Sequence, residues 1–129
     1  MPRILIVEDS PTMRALLASA LEELAGSVKI TEADSGFEAL RLLPRERWDL
    51  IVTDVNMPDI NGLELVSFAR GNAAYRHVPL IIVSTEGSER DRAKGLGLGA
   101  DAYLVKPFEP ADLREIAAQL LARKRPRED

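Results

Sequence analysis

The chain has 129 residues, enough for one domain with a hydrophobic core and too few to expect two. It contains 46% apolar and 29% charged residues, as ordinary globular proteins do, and its net charge of −4 argues against broad electrostatic binding of nucleic acid. No cysteine is present, which excludes disulfides and thiolate metal sites. No signal peptide opens the chain, and no apolar stretch approaches the roughly 20 residues of a membrane span, so we expect a cytoplasmic protein without membrane insertion.

Five short apolar runs recur along the chain, and each predicts a β-strand. Three of them are nearly continuous runs of leucine and β-branched residues, which are typical of strands buried on both faces of a parallel sheet. The runs cover residues 4–7, 28–30, 50–52, 80–83 and 102–105.

Segments with helical periodicity follow these runs. The first helix is predicted behind Ser10 and Pro11, which suit a helix cap and a first turn, and the last behind Pro110. Their apolar stripes are Met13, Leu16, Leu17, Ala20, Leu21 and Leu24 in the first, and Leu113, Ile116, Ala117, Leu120 and Leu121 in the last. Weaker patterns predict three more helices near 36–43, 62–71 and 89–97.

Strand and helix therefore alternate five times. This alternation predicts an α/β fold with a parallel sheet, right-handed crossovers and helices on both faces, which is the doubly wound architecture. In such sheets the functional site lies beyond the carboxyl ends of the strands.

Charged and polar residues stand at four of these strand ends. Glu8 and Asp9 follow the first strand, Asp54 the third, Ser84 ends the fourth, and Lys106 follows the fifth. Two carboxylates 4 Å apart repel each other by roughly 4 kcal/mol at an effective dielectric constant near 20, so a cation is needed. Ligands that are all oxygen select a hard divalent ion, and magnesium fits best because it also binds phosphate.

A carboxylate beside such an ion can accept a phosphoryl group, since this transfer requires mainly positioning and charge neutralisation. Lys106 would then act as a point charge on the phosphoryl oxygens, and Ser84 as a hydrogen-bond donor. Taken singly, each residue has a plain structural explanation, such as a turn acid or a solvated lysine. Their joint placement at four strand ends favours a functional site.

Four motifs carry a resemblance to a known family: ILIVEDS, VTDVNMPDINGLEL, PLIIVSTEG and DAYLVKPF. In them the chain resembles the receiver domain of two-component response regulators, most closely the stand-alone chemotaxis type, CheY. The resemblance covers essentially the whole chain. It implies a flavodoxin-like (βα)5 fold with strand order 2-1-3-4-5, and we expect a receiver domain over residues 1–122 and a charged, fraying tail over 123–129.

The resemblance also implies a role for each acid of the site. Asp54 would be the phosphoacceptor, and Mg²⁺ would be held by Glu8, Asp9, Asp54 and the backbone carbonyl of Asn56. Lys106 would bond the phosphoryl group.

Further residues are implied to transmit or tune the signal. Ser84 would be the switch hydroxyl and Tyr103 an aromatic reporter that moves inward, while the peptide bond before Pro107 would be cis, an isomer that costs only about 0.5–1 kcal/mol before proline. Asn56 and Glu86 flank the acceptor and would tune hydrolysis of the acyl phosphate, for which we expect a short lifetime.

The partners implied are a histidine kinase or histidine phosphotransfer protein upstream and a separate target protein downstream. The target would bind the surface of the fourth helix, fifth strand and fifth helix. We expect a monomer, with dimerisation on phosphorylation left open. A phosphotransfer intermediate, a phosphate sink, and a receiver domain cut from a longer DNA-binding regulator remain alternatives.

Other function classes fit the residues less well. A phosphohydrolase of the haloacid dehalogenase class needs an acid two residues after its nucleophile, where this chain has Asn56, so we expect a switch and not an enzyme for outside substrates. The loop EDSPTM is too acidic to cradle a nucleotide phosphate, and GLGLGAD is interpreted as a helix stop. The basic ARKRPR is interpreted as a solvated helix end, and Trp48 and His77 as loop or edge residues.

Overall fold

Strands and helices alternate along residues 1–24 and 26–123, the part of the chain that the structure, a computed structural model, describes. The strands are β1 (Arg3–Val7), β2 (Lys29–Ala33), β3 (Leu50–Asp54), β4 (Leu80–Ser84) and β5 (Ala102–Val105). The helices are α1 (Pro11–Glu22), α2 (Gly36–Leu42), α3 (Gly62–Arg70), α4 (Glu89–Gly97) and α5 (Pro110–Ala122), and a 3₁₀ turn, Leu43–Arg45, follows α2.

The five strands are parallel and lie in the order β2-β1-β3-β4-β5, which confirms the predicted fold class. Val7 pairs with Thr53, Asp54 with Val83, and Ser84 with Val105. The strands therefore end level with one another, and the residues at their carboxyl ends share one edge of the sheet.

The three central strands are buried on both faces, as their apolar runs predicted. Alternate side chains of these strands enter two separate cores. On one face Ile4, Val52 and Ile81 pack with α1 and α5, and on the other Leu5, Ile51 and Ile82 pack with α2 and α3. Two hydrophobic layers thus hold the polar edge in place.

Helix α1 begins where the sequence predicted but buries a narrower stripe. The side chain of Ser10 caps it by accepting a hydrogen bond from the backbone N–H of Met13. Leu17 and Leu21 are fully buried, whereas Leu16 is 39% exposed. The prediction that Leu16 belongs to the core stripe is wrong, because one residue turns about 100° around a helix and leaves the face that contacts the sheet.

Three other details differ from the sequence interpretation. Strand β2 extends to Ala33, past the predicted run, since an edge strand tolerates polar residues. Trp48 lies in a loop but is buried in the core, and its indole N–H donates to the Leu43 carbonyl at 3.1 Å. Gly95 and Gly97 lie inside α4 and only Gly99 lies beyond it, where its φ of +118° suits glycine.

Two remaining points concern the ends of the chain and the membrane. Residues 124–129, most of the predicted fraying tail, lie outside the described residues. Within the described ranges, no helix is both long enough and apolar enough to cross a membrane.

Candidate functional site

Three carboxylates lie together at the carboxyl edge of the sheet. Glu8 and Asp9 follow β1, and Asp54 is the last residue of β3. One oxygen from each side chain lies within 4.8 Å of the other two. Glu8 and Asp54 are buried, whereas Asp9 is exposed, so the acidic cluster opens to solvent on the Asp9 side.

Lys106 joins this acidic cluster from the end of β5. Its Nζ lies 3.0 Å from Oε1 of Glu8 and 3.1 Å from Oδ1 of Asp54, and its side chain is only 12% exposed. The peptide bond between Lys106 and Pro107 is cis. One ammonium therefore bridges two buried carboxylates that come from different strands.

Burial and charge shift the pKa values of this bridge. Burial raises the pKa of Glu8, and the charge of Asp54 adds to the rise, although the backbone N–H of Ser10 and the Lys106 ammonium oppose it. Burial by itself lowers the pKa of Lys106, but hydrogen bonds and charge from Glu8 and Asp54 outweigh it and raise that pKa above its ordinary value of 10.5. Lys106 is thus a cation at neutral pH.

The loop after Asp54 turns back tightly before α3. Gly62 donates its N–H to the Val55 carbonyl at 2.9 Å, and a Cβ at this position would collide with the Asp54 carbonyl group. Asn61 and Glu64 form a capping box that starts α3. Asn56 lies on this loop two residues after Asp54, and it is exposed.

Asp59 ties the same loop to α2. Its carboxylate accepts hydrogen bonds from the backbone N–H of Phe37 at 2.9 Å and from that of Gly36 at 3.2 Å. These hydrogen bonds, the one from Phe37 above all, hold the pKa of Asp59 below its ordinary value of 3.8. Asp59 is thus bound to the start of α2 and is not a member of the cluster that Glu8, Asp9 and Asp54 form.

A chain of hydrogen bonds leads from the acidic edge toward α4. The buried hydroxyl oxygen of Ser84 accepts from the backbone N–H of Glu86 at 2.9 Å. The Glu86 carbonyl accepts from the hydroxyl of Tyr103 at 2.6 Å, and Tyr103 is buried. Tyr103 thus occupies an inward position in this structure, while its predicted movement stays a prediction.

A groove of about 440 Å³ lies next to Tyr103 on the surface of α4, β5 and α5. Its wall is apolar at Val105, Phe108 and Ile116 and carries charges at Arg92 and Glu115. The Arg92 guanidinium also donates to the Tyr103 carbonyl at 2.9 Å. The hydrogen-bond chain from Ser84 therefore ends beside a surface large enough for a side chain of another protein.

Comparison with known proteins decides the family. The response regulator receiver domain family matches residues 4–118, which is most of the chain. The chain belongs to this family. A chemotaxis protein CheY homologue of Campylobacter jejuni is 41% identical over 114 residues, which are 88% of this chain and 87% of the homologue.

Solved structures of receiver domains have the same fold. The chemotaxis response regulator CheY4 of Vibrio cholerae superposes with a TM-score of 0.84 at 32% identity, covering 93% of this chain and 98% of that one. The receiver domain of a sensor histidine kinase of Pseudomonas aeruginosa, with a TM-score of 0.84 and 30% identity, covers 95% of this chain and 98% of that one. That structure holds a magnesium ion coordinated in its active site cleft.

The acidic cluster of this receiver domain has a donor set that fits magnesium. Its ligand atoms are all carboxylate oxygens, which Mg²⁺ prefers. Ligands on opposite sides of an Mg²⁺ ion are about 4.2 Å apart, since each lies about 2.1 Å from it. Because the three oxygens lie within 4.8 Å of one another and Asp9 is exposed, Glu8, Asp9 and Asp54 would hold the ion at a position that solvent reaches.

Sequence reasoning missed one cation near the cluster. Arg14 of α1 donates from Nη1 to the Glu8 carbonyl at 3.0 Å and pairs through Nε with Glu32 of β2 at 3.1 Å. It thereby holds the turn that carries Glu8 and Asp9. No motif marks Arg14, since it lies on the polar side of an ordinary amphipathic pattern.

Proposed function

We propose that this receiver domain accepts a phosphoryl group on Asp54 from a histidine kinase or histidine phosphotransfer protein in an Mg²⁺-dependent reaction. The observation that carries the proposal is the Lys106 bridge, which sets an ammonium against Asp54 in a cluster of three acids. A purely structural ion pair would not need two further carboxylates beside it, because they repel Asp54.

Different residues of the acidic cluster would carry out different parts of the phosphoryl transfer. A carboxylate oxygen of Asp54 attacks phosphorus, the new O–P bond forms, and the bond from phosphorus to the donor breaks with its electron pair leaving on the donor. Lys106 exchanges its contact with Asp54 for one with a phosphoryl oxygen. Glu8, Asp9, Asp54 and the Asn56 carbonyl would hold the Mg²⁺ ion, which when bound neutralises the phosphoryl oxygens.

Ser84 and Tyr103 would convert this charge into a change of surface. The phosphoryl group adds about two negative charges and three acceptor oxygens. The contact between Ser84 and Glu86 uses the hydroxyl oxygen as acceptor, so the hydroxyl proton is available for a phosphoryl oxygen. Movement of Ser84 would pull on Glu86, whose carbonyl holds Tyr103, and thereby favour the inward ring.

The groove beside Tyr103 supports a target-binding role for the surface of α4, β5 and α5. An outward ring would turn toward this groove, whereas an inward ring leaves it open to a partner. We propose residues 1–122 as one receiver domain that acts as a signalling switch in the cytoplasm. Passage of the phosphoryl group to a further histidine is the second candidate, since it would use the same Asp54 site.

Incubation with acetyl phosphate, followed by intact mass spectrometry, tests this proposal. We expect one phosphoryl adduct in Mg²⁺ and none after chelation. Asp54→Asn should lose the adduct, whereas Asp34→Asn, the same change at an exposed residue outside the acidic cluster, should keep it. Absence of any adduct in the unsubstituted protein would overturn the proposal.

Asn56 and Glu86 are proposed to tune the lifetime of the phosphorylated form. Both are exposed, and the family resemblance implies that they flank the acceptor, where they would guide attacking water. We expect the phosphoprotein to decay rapidly in Mg²⁺ buffer. Persistence for many hours would contradict this part of the proposal.

A further inference from the structure

Helix α4 contains a buried glycine, Gly95, at a position that faces the sheet. A glycine inside a helix destabilises it by roughly 0.5–1 kcal/mol relative to alanine, because glycine loses more backbone freedom. Gly95 is buried and faces β4 and β5, unlike Gly97 two residues later, which is exposed. The two glycines of this helix therefore have different surroundings.

The space beside Gly95 is filled by the ring of Tyr103. A Cβ built on Gly95 would lie 2.9 Å from Cδ2 and 3.0 Å from Cε2 of Tyr103, and 2.9 Å from Cδ1 of Ile82. Carbon atoms in favourable contact are about 3.5–4.0 Å apart, so these positions overlap. Ile82 presents the flexible end of its side chain, but the flat ring of Tyr103 must move as a whole.

Tyr103 is held by one hydrogen bond at its ring hydroxyl and by another at its backbone. Its hydroxyl donates to the Glu86 carbonyl at 2.6 Å, and the carbonyl of its own backbone accepts from Arg92 at 2.9 Å. A sideways shift of the ring would therefore lengthen and weaken the hydrogen bond to Glu86. A methyl group at position 95 would instead favour rotation of the ring toward the groove between α4 and α5.

We propose that Gly95 is a positioning residue for Tyr103: the absence of a side chain forms the seat that admits the inward ring. The consequence for signalling, but not the seat itself, rests on the proposed function. With a methyl group at position 95, Asp54 would still be phosphorylated, but the target-binding surface would no longer change in response.

Gly97 provides a matched control for this proposal. A Cβ on Gly97 meets no atom within 4 Å. Gly97→Ala should therefore add only the helix preference of alanine, which Gly95→Ala adds as well. A difference between the two variants therefore reports the contacts that a Cβ at position 95 makes with Tyr103 and Ile82.

Hydroxyl-radical footprinting with peptide mass spectrometry measures the exposure of Tyr103 directly, with no phosphodonor present. We expect several-fold more modification of Tyr103 in Gly95→Ala than in the unsubstituted protein, and no increase in Gly97→Ala. Unchanged modification in Gly95→Ala, or an equal increase in both variants, would overturn the proposal.

The same two substitutions made in a Tyr103 variant distinguish the contact with the ring from a general disturbance of α4. In Tyr103→Ala the ring is absent and only the flexible end of Ile82 stays close to a Cβ at position 95, so Gly95→Ala and Gly97→Ala should differ much less in the midpoint of urea unfolding than they do when Tyr103 is present. A difference that is as large in this background would show that Gly95 acts through another contact, and would overturn the proposal. Acetyl phosphate labelling of the same samples tests Asp54 separately, so the two proposals fail independently.

Discussion

The two ends of the sheet differ in the balance of their carboxylates and cations. At the amino end of β4, the Arg70 guanidinium donates to the Gly99 carbonyl at 2.8 Å, the Val78 carbonyl at 2.9 Å and Asp101 at 2.8 Å. Asp101 also accepts from the Leu80 backbone N–H and from Arg123, each at 2.8 Å. Two guanidiniums and a backbone donor thus satisfy a single carboxylate.

At the carboxyl end the balance is reversed. Among the residues that the structure describes, three carboxylates face one ammonium in this cluster, so its negative charges exceed its positive charge by two. The amino end is completed by its own residues, which suits a structural role. The carboxyl end carries an excess of negative charge, which suits a cation-binding site.

Loss of the ammonium is expected to have the largest effect. Lys106→Met leaves Glu8 and Asp54 buried without their cation, and breaking a pair of this kind lowers the free energy of unfolding by about 3 kcal/mol. Mg²⁺ should restore part of the loss, because a bound divalent ion neutralises the same carboxylates. Urea unfolding with chelator and with Mg²⁺ measures both effects.

Lys106→Arg is the matched control, since it keeps the positive charge. It should lose less stability than Lys106→Met in chelator. A Lys106→Met protein as stable as the unsubstituted one, or one that Mg²⁺ leaves unchanged, would contradict the charge balance described for this end.

The amino end should respond differently. Asp101→Asn removes the charge that binds Arg70 and Arg123, and the lost charged hydrogen bonds should lower the free energy of unfolding by about 2 kcal/mol. The Mg²⁺ dissociation constant from calorimetry should not change, because the substitution lies at the opposite end of the sheet. Arg123→Gln, at a side chain that is 54% exposed, should cost much less stability. A change of Mg²⁺ affinity in Asp101→Asn would contradict the view that only the carboxyl end of the sheet binds the ion.

Asp9→Asn should show the converse pattern. Asp9 is exposed and lies beside two other acids, so removing its charge should leave stability unchanged or slightly higher. Mg²⁺ affinity should fall by about tenfold, which corresponds to about 1.4 kcal/mol of lost binding free energy. Calorimetric titration with Mg²⁺ measures the change. Unaltered affinity would exclude Asp9 from the metal site.

The smallest effect is expected at Asp59, which connects the loop after Asp54 to α2. Because folding lowers the pKa of Asp59, its stabilising contribution is present above its unfolded pKa and is lost as the pH falls through the folded value. Asp59→Asn should thus be less stable than the unsubstituted protein at pH 7, and the difference should narrow below the ordinary pKa of 3.8. Urea unfolding across this pH range measures it. With Asp34→Asn as control, a difference that does not depend on pH would contradict the role of the Asp59 charge.

The sequence predicted the sheet and its polar edge because both follow from local patterns. Apolar runs identify buried parallel strands, and parallel strands bring their carboxyl ends to one edge, so Glu8, Asp54 and Lys106 could be grouped without coordinates. The fold class and the family resemblance were confirmed.

Contacts between distant elements could not be predicted. The hydrogen bond from Gly36 to Asp59 spans 23 positions, and neither residue belongs to a periodic pattern that points to the other. The seat at Gly95 depends on where the Tyr103 ring lies, and glycine in a sequence equally suits a helix end. Trp48 was assigned to a loop correctly, but its burial depends on packing that the local sequence does not encode.

The location of the phosphoryl group tests the central claim most directly. After labelling with acetyl phosphate and Mg²⁺, borohydride reduction converts an aspartyl phosphate to homoserine, and peptide mass spectrometry gives its position. We expect homoserine at position 54 alone, dependent on Mg²⁺. Homoserine at Asp9 or another aspartate, or a phosphoryl adduct that survives Asp54→Asn, would contradict the assignment of Asp54 as the acceptor.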